Sequence, residues 1–149
     1  MVFRTAPLTA PGRVVWADLS CQLAAVALTG DPTRDPIPLN SCYVVPTGSS
    51  DEAHRLAAWL NARWLTGLAR LTAMPASGGY ARFTASVIAG LPLPASAISD
   101  PDLASLGRAG AAGHAIQEEL DECCARHLGL TANERSALEM VGRSPETAG

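Results

Sequence analysis

Apolar and polar residues alternate and recur along this chain in ways that predict a small number of elements. Arg13-Val-Val-Trp16-Ala-Asp18-Leu, bounded by Pro11-Gly12, is rich in β-branched and aromatic residues and reads as a strand. Cys42-Tyr-Val-Val45 reads as a second, ended by Pro46-Thr-Gly48, while Leu23 to Leu28 fits a strand or a short helix. Between them, Asp31 to Pro38 holds prolines at 32, 36 and 38 and must loop over the surface. Ser49-Ser-Asp-Glu52 has the form of a capping box, and the apolar positions after it (Ala53, Leu56, Ala57, Leu60, Trp64, Leu68, Leu71) fall at offsets 0, 3, 4, 7, 11, 15 and 18, one face of a helix. That periodicity predicts one amphipathic helix from Ser50 to about Leu71, closed by Met74-Pro75 and the turn Ser77-Gly-Gly79.

Beyond the turn, Thr84 to Ala89 suits a short helix, and Gly90-Leu-Pro-Leu-Pro94 must be extended because proline disfavours helical geometry in its predecessor. Asp100-Pro101 supplies an N-cap and a first-turn proline. Leu106, Ala109, Gly113, Ile116, Leu120, Cys123 and His127 then form a narrow helical stripe, and Thr131-Ala-Asn-Glu134 opens a last helix running to about Val141. The expected fold is α+β: a small mixed sheet with a packed amphipathic helix, followed by a C-terminal helical segment. Residues 1–99 form the α/β region and residues 100–149 the helical segment with its polar tail, within one compact unit.

Composition narrows the class. At 149 residues, 48% hydrophobic and 17% charged, the chain suits ordinary globular packing rather than disorder. The longest uncharged stretch, Phe83 to Ser99, carries Pro92 and Pro94 and does not suit a membrane span. With no basic-then-apolar start, the expected location is cytoplasmic. Charge is uneven, +2 over residues 1–90 and −5 over residues 91–149, so only the first part could meet a polyanion, and weakly.

The candidate chemistry is sparse. Cysteines 21, 42, 123 and 124 show no Cys-x-x-Cys spacing, so no metal site is expected, and reduced, partly buried thiols are the reading. Cys123 and His127 lie four apart on a predicted helix, which suits a thiolate–imidazole couple or half of a metal site. With no third group nearby in sequence, packing is the better account. Glu118 to Glu122 reads as a solvated face. Gly78-Gly79 lacks the Lys and Ser/Thr of a nucleotide loop. With Tyr80 and Arg82 it suits close approach to a nucleic acid, or else a hairpin-like turn with Phe83 in the core and Arg82 solvated. Trp59 and Trp64, five apart, point to different faces of one helix, both most simply core residues.

The order of Pro38-Leu-Asn-Ser-Cys-Tyr-Val-Val45, Leu-Ala-Ala-Trp-Leu60-Asn61, Gly-Gly-Tyr-Ala-Arg82-Phe83, Ile88-Ala-Gly-Leu-Pro-Leu-Pro94 and Leu120-Asp-Glu-Cys-Cys-Ala-Arg-His-Leu-Gly-Leu-Thr-Ala-Asn-Glu134 resembles the target-recognition region of adenine-N6 DNA methyltransferases. The match is to the C-terminal specificity domain of TaqI-type and type IIG restriction-modification enzymes, and covers roughly Arg13 to Val141. The family often has Ser after the Leu-Asn pair, where Ala62 stands here. The family's catalytic Asn/Asp-Pro-Pro-Tyr/Phe motif and cofactor-binding Gly-rich turn do not occur in these residues.

The resemblance therefore implies a non-catalytic module that positions double-stranded DNA for a methyltransferase domain or subunit, with S-adenosylmethionine bound by that partner and no cofactor in this chain. On this reading Gly78, Gly79, Tyr80 and Arg82 face DNA, with Arg13 and Arg34 as further backbone contacts. Leu106, Gly113, Ile116 and Leu120 are the candidate partner-docking positions. The alternatives are a helical protein-interaction module or gene remnant that binds no DNA, and, last, a small thiol enzyme using a cysteine and His127.

Overall fold

The computed structural model describes residues 9–31 and 34–143. Among the described residues six strands, β1 (Gly12–Ala17), β2 (Leu19–Ser20), β3 (Ala25–Leu28), β4 (Cys42–Thr47), β5 (Met74–Pro75) and β6 (Ala81–Arg82), combine with seven α-helices. The helices are α1 (Ser50–Leu60), α2 (Arg63–Arg70), α3 (Ala85–Ala89), α4 (Ala95–Ile98), α5 (Pro101–Ala111), α6 (Gln117–Leu128) and α7 (Ala132–Gly142). The fold is α+β. Its strands form two antiparallel sheets, β3-β1-β4 and β2-β6-β5, instead of one mixed sheet.

In the first sheet, Val14 and Trp16 of β1 are buried, and Trp16 stacks on its cross-strand partner Tyr43 at 5.6 Å. The segment Leu23 to Leu28, open between strand and helix, is strand β3 over its last four residues. α1 packs against β1 and β3. Its N-cap is Ser49, whose side chain accepts from the Glu52 amide, while the Glu52 carboxylate reaches one residue further back than a capping box requires and accepts from the Gly48 amide.

The predicted long helix is broken. α1 ends at Leu60, Ala62 is extended, and α2 begins at Arg63. Two tertiary contacts account for the break. The Asn61 side chain accepts from the Ala25 amide (2.7 Å) and donates to the Ala25 carbonyl (2.8 Å), standing in for a neighbouring strand along β3. The carboxylate of Asp121, fully buried on α6, accepts from the Arg63 amide (2.7 Å) and from Arg63 Nε (2.5 Å), so it caps α2 from another helix. Trp64 Nε1 donates to the Asp121 carbonyl as well. The kink brings Trp59 and Trp64 together edge to face at 5.8 Å, where one straight helix would separate them.

The C-terminal stripe is likewise interrupted. α5, capped by Asp100, ends at Ala111, and Gly113 takes a left-handed φ of 88° before α6 begins at Gln117. α7 opens with the capping box of Thr131 and Glu134. α5 packs on α1 and α7 on α2, joining the C-terminal helices to one core built on Trp16, Trp59, Trp64, Leu65, Phe83, Leu103 and Leu120. No helix among the described residues is long and apolar enough to cross a membrane.

Gly67 lets α2 and α7 touch: a methyl group there would overlap the Leu138 carbonyl. Gly67→Ala should lower stability by about 1–3 kcal/mol or more, since backbone must shift to admit it, read as a lower urea midpoint with unchanged m. Burial of His54, and secondarily the Arg108 charge, hold its imidazole below the ordinary 6.5, against the opposing pull of Asp51. The unfolded chain then binds more protons than the folded one just below pH 6.5, so stability falls on acidification through that window. His54→Gln should lose less stability than the wild type between about pH 6.5 and pH 5, measured by urea unfolding at each pH.

Candidate nucleic-acid interface and a polar cluster

The segment Tyr80 to Phe83 alternates exposed and buried, as a strand with one solvated face must. Ala81 and Phe83 point into the core, and Trp16 Nε1 donates to the Phe83 carbonyl at 2.8 Å, locking this strip to the first sheet. Tyr80 and Arg82 point outward. Arg82 pairs with Leu19 on one side and Met74 on the other, so it shares the solvated face with two exposed apolar residues, 45% and 68% accessible.

The turn before this strip needs its glycines, Gly78 and Gly79, at φ 72° and 74°. Arg70 of α2 holds the turn from behind by donating to the Gly79 carbonyl (2.7 Å) and to the Cys21 carbonyl. Arg82 Nη1 meets Asp18 Oδ2 at 2.9 Å, and its side chain is 49% exposed against 14% for Asp18. A shallow cleft lined by Ser20, Gln22, Arg63, Tyr80 and Arg143 adjoins the strip.

The other predicted positions fall elsewhere. Arg13 is 1% exposed and pairs with Asp35 at 3.0 Å, because the segment after Arg34 folds over that face of β1, so it is not available to a phosphate. Arg34 is exposed, but on the loop that carries Asp35 against the first sheet. Of the docking positions, Leu120 is buried in the core, Leu106 and Ile116 pack partly against it, and Gly113 sits in the turn between α5 and α6. They do not form one helical face. Asp18, Leu19 and Met74 are the neighbours of Arg82 that sequence reasoning missed; the alternation around Phe83 was the only local signal.

A second constellation gathers around His127. Its Nδ1 lies 2.9 Å from Ser96 Oγ, its Nε2 lies 2.8 Å from Asp100 Oδ2, and Cys123 Sγ is 3.7 Å from the same carboxylate oxygen. Trp59 meets the imidazole edge to face at 6.2 Å. The third group that sequence proximity did not supply is therefore Asp100, brought in by the start of α5. Burial raises the Asp100 carboxyl, but the hydrogen bond with His127 and those from the Asp102 and Leu103 amides outweigh it and hold the group below the usual carboxylate range. Burial pushes the Cys123 thiol up, against the opposing hydrogen bond of Arg126, and pushes the thiol of fully buried Cys124 much further. Such thiols suit packing better than nucleophilic attack.

No family model, curated protein or solved structure matches this chain. The thiol environments have a direct readout. Under native conditions Cys21 and Cys42, both half-buried, should react with a thiol reagent well before Cys123 and Cys124, and mass spectrometry of the labelled peptides will assign the order.

Proposed function

We propose that this chain is a non-catalytic DNA target-recognition module, which positions duplex DNA for an adenine-N6 methyltransferase domain or subunit that binds S-adenosylmethionine itself. The observation that carries the reading is the outward face of β2-β6-β5, where Arg82 stands between Leu19 and Met74 with Tyr80 two residues away. An Arg held at one edge can offer its other donors to guanine or phosphate; apolar neighbours suit a thymine methyl or a sugar, and Tyr80 a base face. The glycine turn lets backbone approach a groove closely. The order of motifs that resembles specificity domains supports the same reading, and a cytoplasmic location goes with it.

The helical docking alternative is less well supported, since the Leu106 to His127 stripe is divided at Gly113 and Leu120 is already in the core. With an acidic C-terminal half, the phosphate contacts of this chain are few and affinity rests largely on the partner's surface.

Salt-dependent binding to duplex DNA, for the chain alone and with an adenine methyltransferase encoded beside it, tests the proposal. Arg82→Ala should weaken binding by about 1–3 kcal/mol if the side chain reads a base, or reduce the salt slope by about 1 if it meets only phosphate. Arg34→Ala, on the other sheet's loop, should change binding less. Equal affinity and equal salt slope for wild type and Arg82→Ala, or no DNA binding at low salt with the partner present, would overturn it.

A further inference from the structure

We propose that Asp100, Cys123 and His127 form a site for one zinc-class divalent cation that ties the start of α5 to α6, with water as the fourth ligand. The donor atoms Oδ2, Sγ and Nε2 all lie within 4.8 Å of one another and come from three residue types whose chemistry suits a borderline-soft ion. Zinc bonds of 2.0–2.3 Å in tetrahedral geometry set neighbouring donors about 3.3–3.6 Å apart. The 3.7 Å Sγ–Oδ2 separation needs to close by about 0.1 Å, and the 2.8 Å Oδ2–Nε2 pair needs to open by about half an ångström.

Each ligand is held from behind. The second oxygen of Asp100 accepts from the Asp102 amide at 2.8 Å, and the Asp100 carbonyl accepts from Arg55 Nε of α1 at 3.1 Å, so Oδ2 is left to face His127 and Cys123. His127 Nδ1 faces Ser96 Oγ, the kind of outer contact that sets the tautomer of a metal-bound imidazole, with Nδ1–H donated and the Nε2 lone pair turned to the ion. Cys123 and His127 stand one turn apart on α6, and Trp59 limits rotation of the ring. Cys123 also lines a surface groove with Asp102, Ser105, Glu122 and Arg126. On binding, the Cys123 thiol passes its proton to solvent and its sulfur bonds the metal; Asp100 and the thiolate together balance the two positive charges.

Cobalt(II) is the probe, added to tag-free, reduced, metal-stripped full chain. The expected result is one equivalent bound, with tetrahedral d–d bands and a thiolate-to-cobalt charge-transfer band, both displaced by zinc. The charge-transfer band should vanish in Cys123→Ser and persist in Cys21→Ser and Cys42→Ser. Ser96→Ala should weaken binding about 10–100-fold while leaving the band in place at saturation. Zinc, but not magnesium, should raise the unfolding temperature. A wild-type chain that shows no charge-transfer band overturns the proposal whether or not the variants fold, and so does a band that survives Cys123→Ser or depends on Cys21 or Cys42. Because no DNA enters the measurement, failure here is distinct from failure of the recognition reading.

Discussion

The buried carboxylate of Asp121 fixes the course of the chain. An ionised side chain with no exposure is costly unless its acceptors are filled, and Asp121 fills them with the first amide of α2, with Arg63 Nε and with Gln117. Those bonds determine where α2 starts and hence where α1 must stop. The kink then sets Trp59 against Trp64, turns α2 towards α7, and leaves the Asn61 amide free to seal β3. Removing the carboxylate would leave the first amide of α2 without its acceptor, a loss of about 1–3 kcal/mol for an unsatisfied group, while the half-exposed Arg63 guanidinium keeps Glu118 and solvent.

Local signals that act within four residues were legible. Ser49 and Thr131 cap their helices, Asp100-Pro101 starts α5, Thr84 caps α3, and the β-branched runs at Val14 and Val44 are strands. The two failures share a cause. From Leu60 to Trp64, and from Ala109 through Gly113 to Ile116, apolar spacing continues at 3 and 4 while the backbone leaves the helix. In the first case the cap that starts α2 is Asp121, fifty-eight positions from the amide it accepts from, and periodicity carries no trace of it. In the second a glycine with positive φ breaks a pattern that counts only apolar positions. Arg13 was misjudged for a similar reason, because its burial depends on Asp35 in a proline-rich loop, twenty-two residues away.

Residues that carry the resemblance to specificity domains act mostly on the frame. Asn61 pairs with β3, Asp121 caps α2, Pro92 accepts from Trp59 Nε1, and Thr131 with Glu134 opens α7. A frame of this kind says little about what its surface reads, since fold and site are separable. In the proposed reading the positions that would set a target lie on the solvated side of β2-β6-β5 and in its glycine turn, and of these Gly78, Gly79, Tyr80 and Arg82 were visible as candidates beforehand. Leu19 and Met74 join them through strand register alone.

The Arg82–Asp18 pair bears on whether that surface can work. An exposed ion pair of this kind is worth about 0–1 kcal/mol, whereas a bidentate contact to guanine discriminates by about 1–3 kcal/mol. Exchange of one carboxylate for a base edge is therefore not forbidden by energy, and complete exchange is not required. Asp18 engages only Nη1, at 2.9 Å, so the tether can persist while the opposite edge of the guanidinium turns to DNA. A tethered side chain loses less rotamer entropy on binding than a free one. The carboxylate that weakens the local positive potential thus also aims the charge, and under the proposed function such an aimed charge would suit selective contact at one base pair over general attraction to the phosphate backbone.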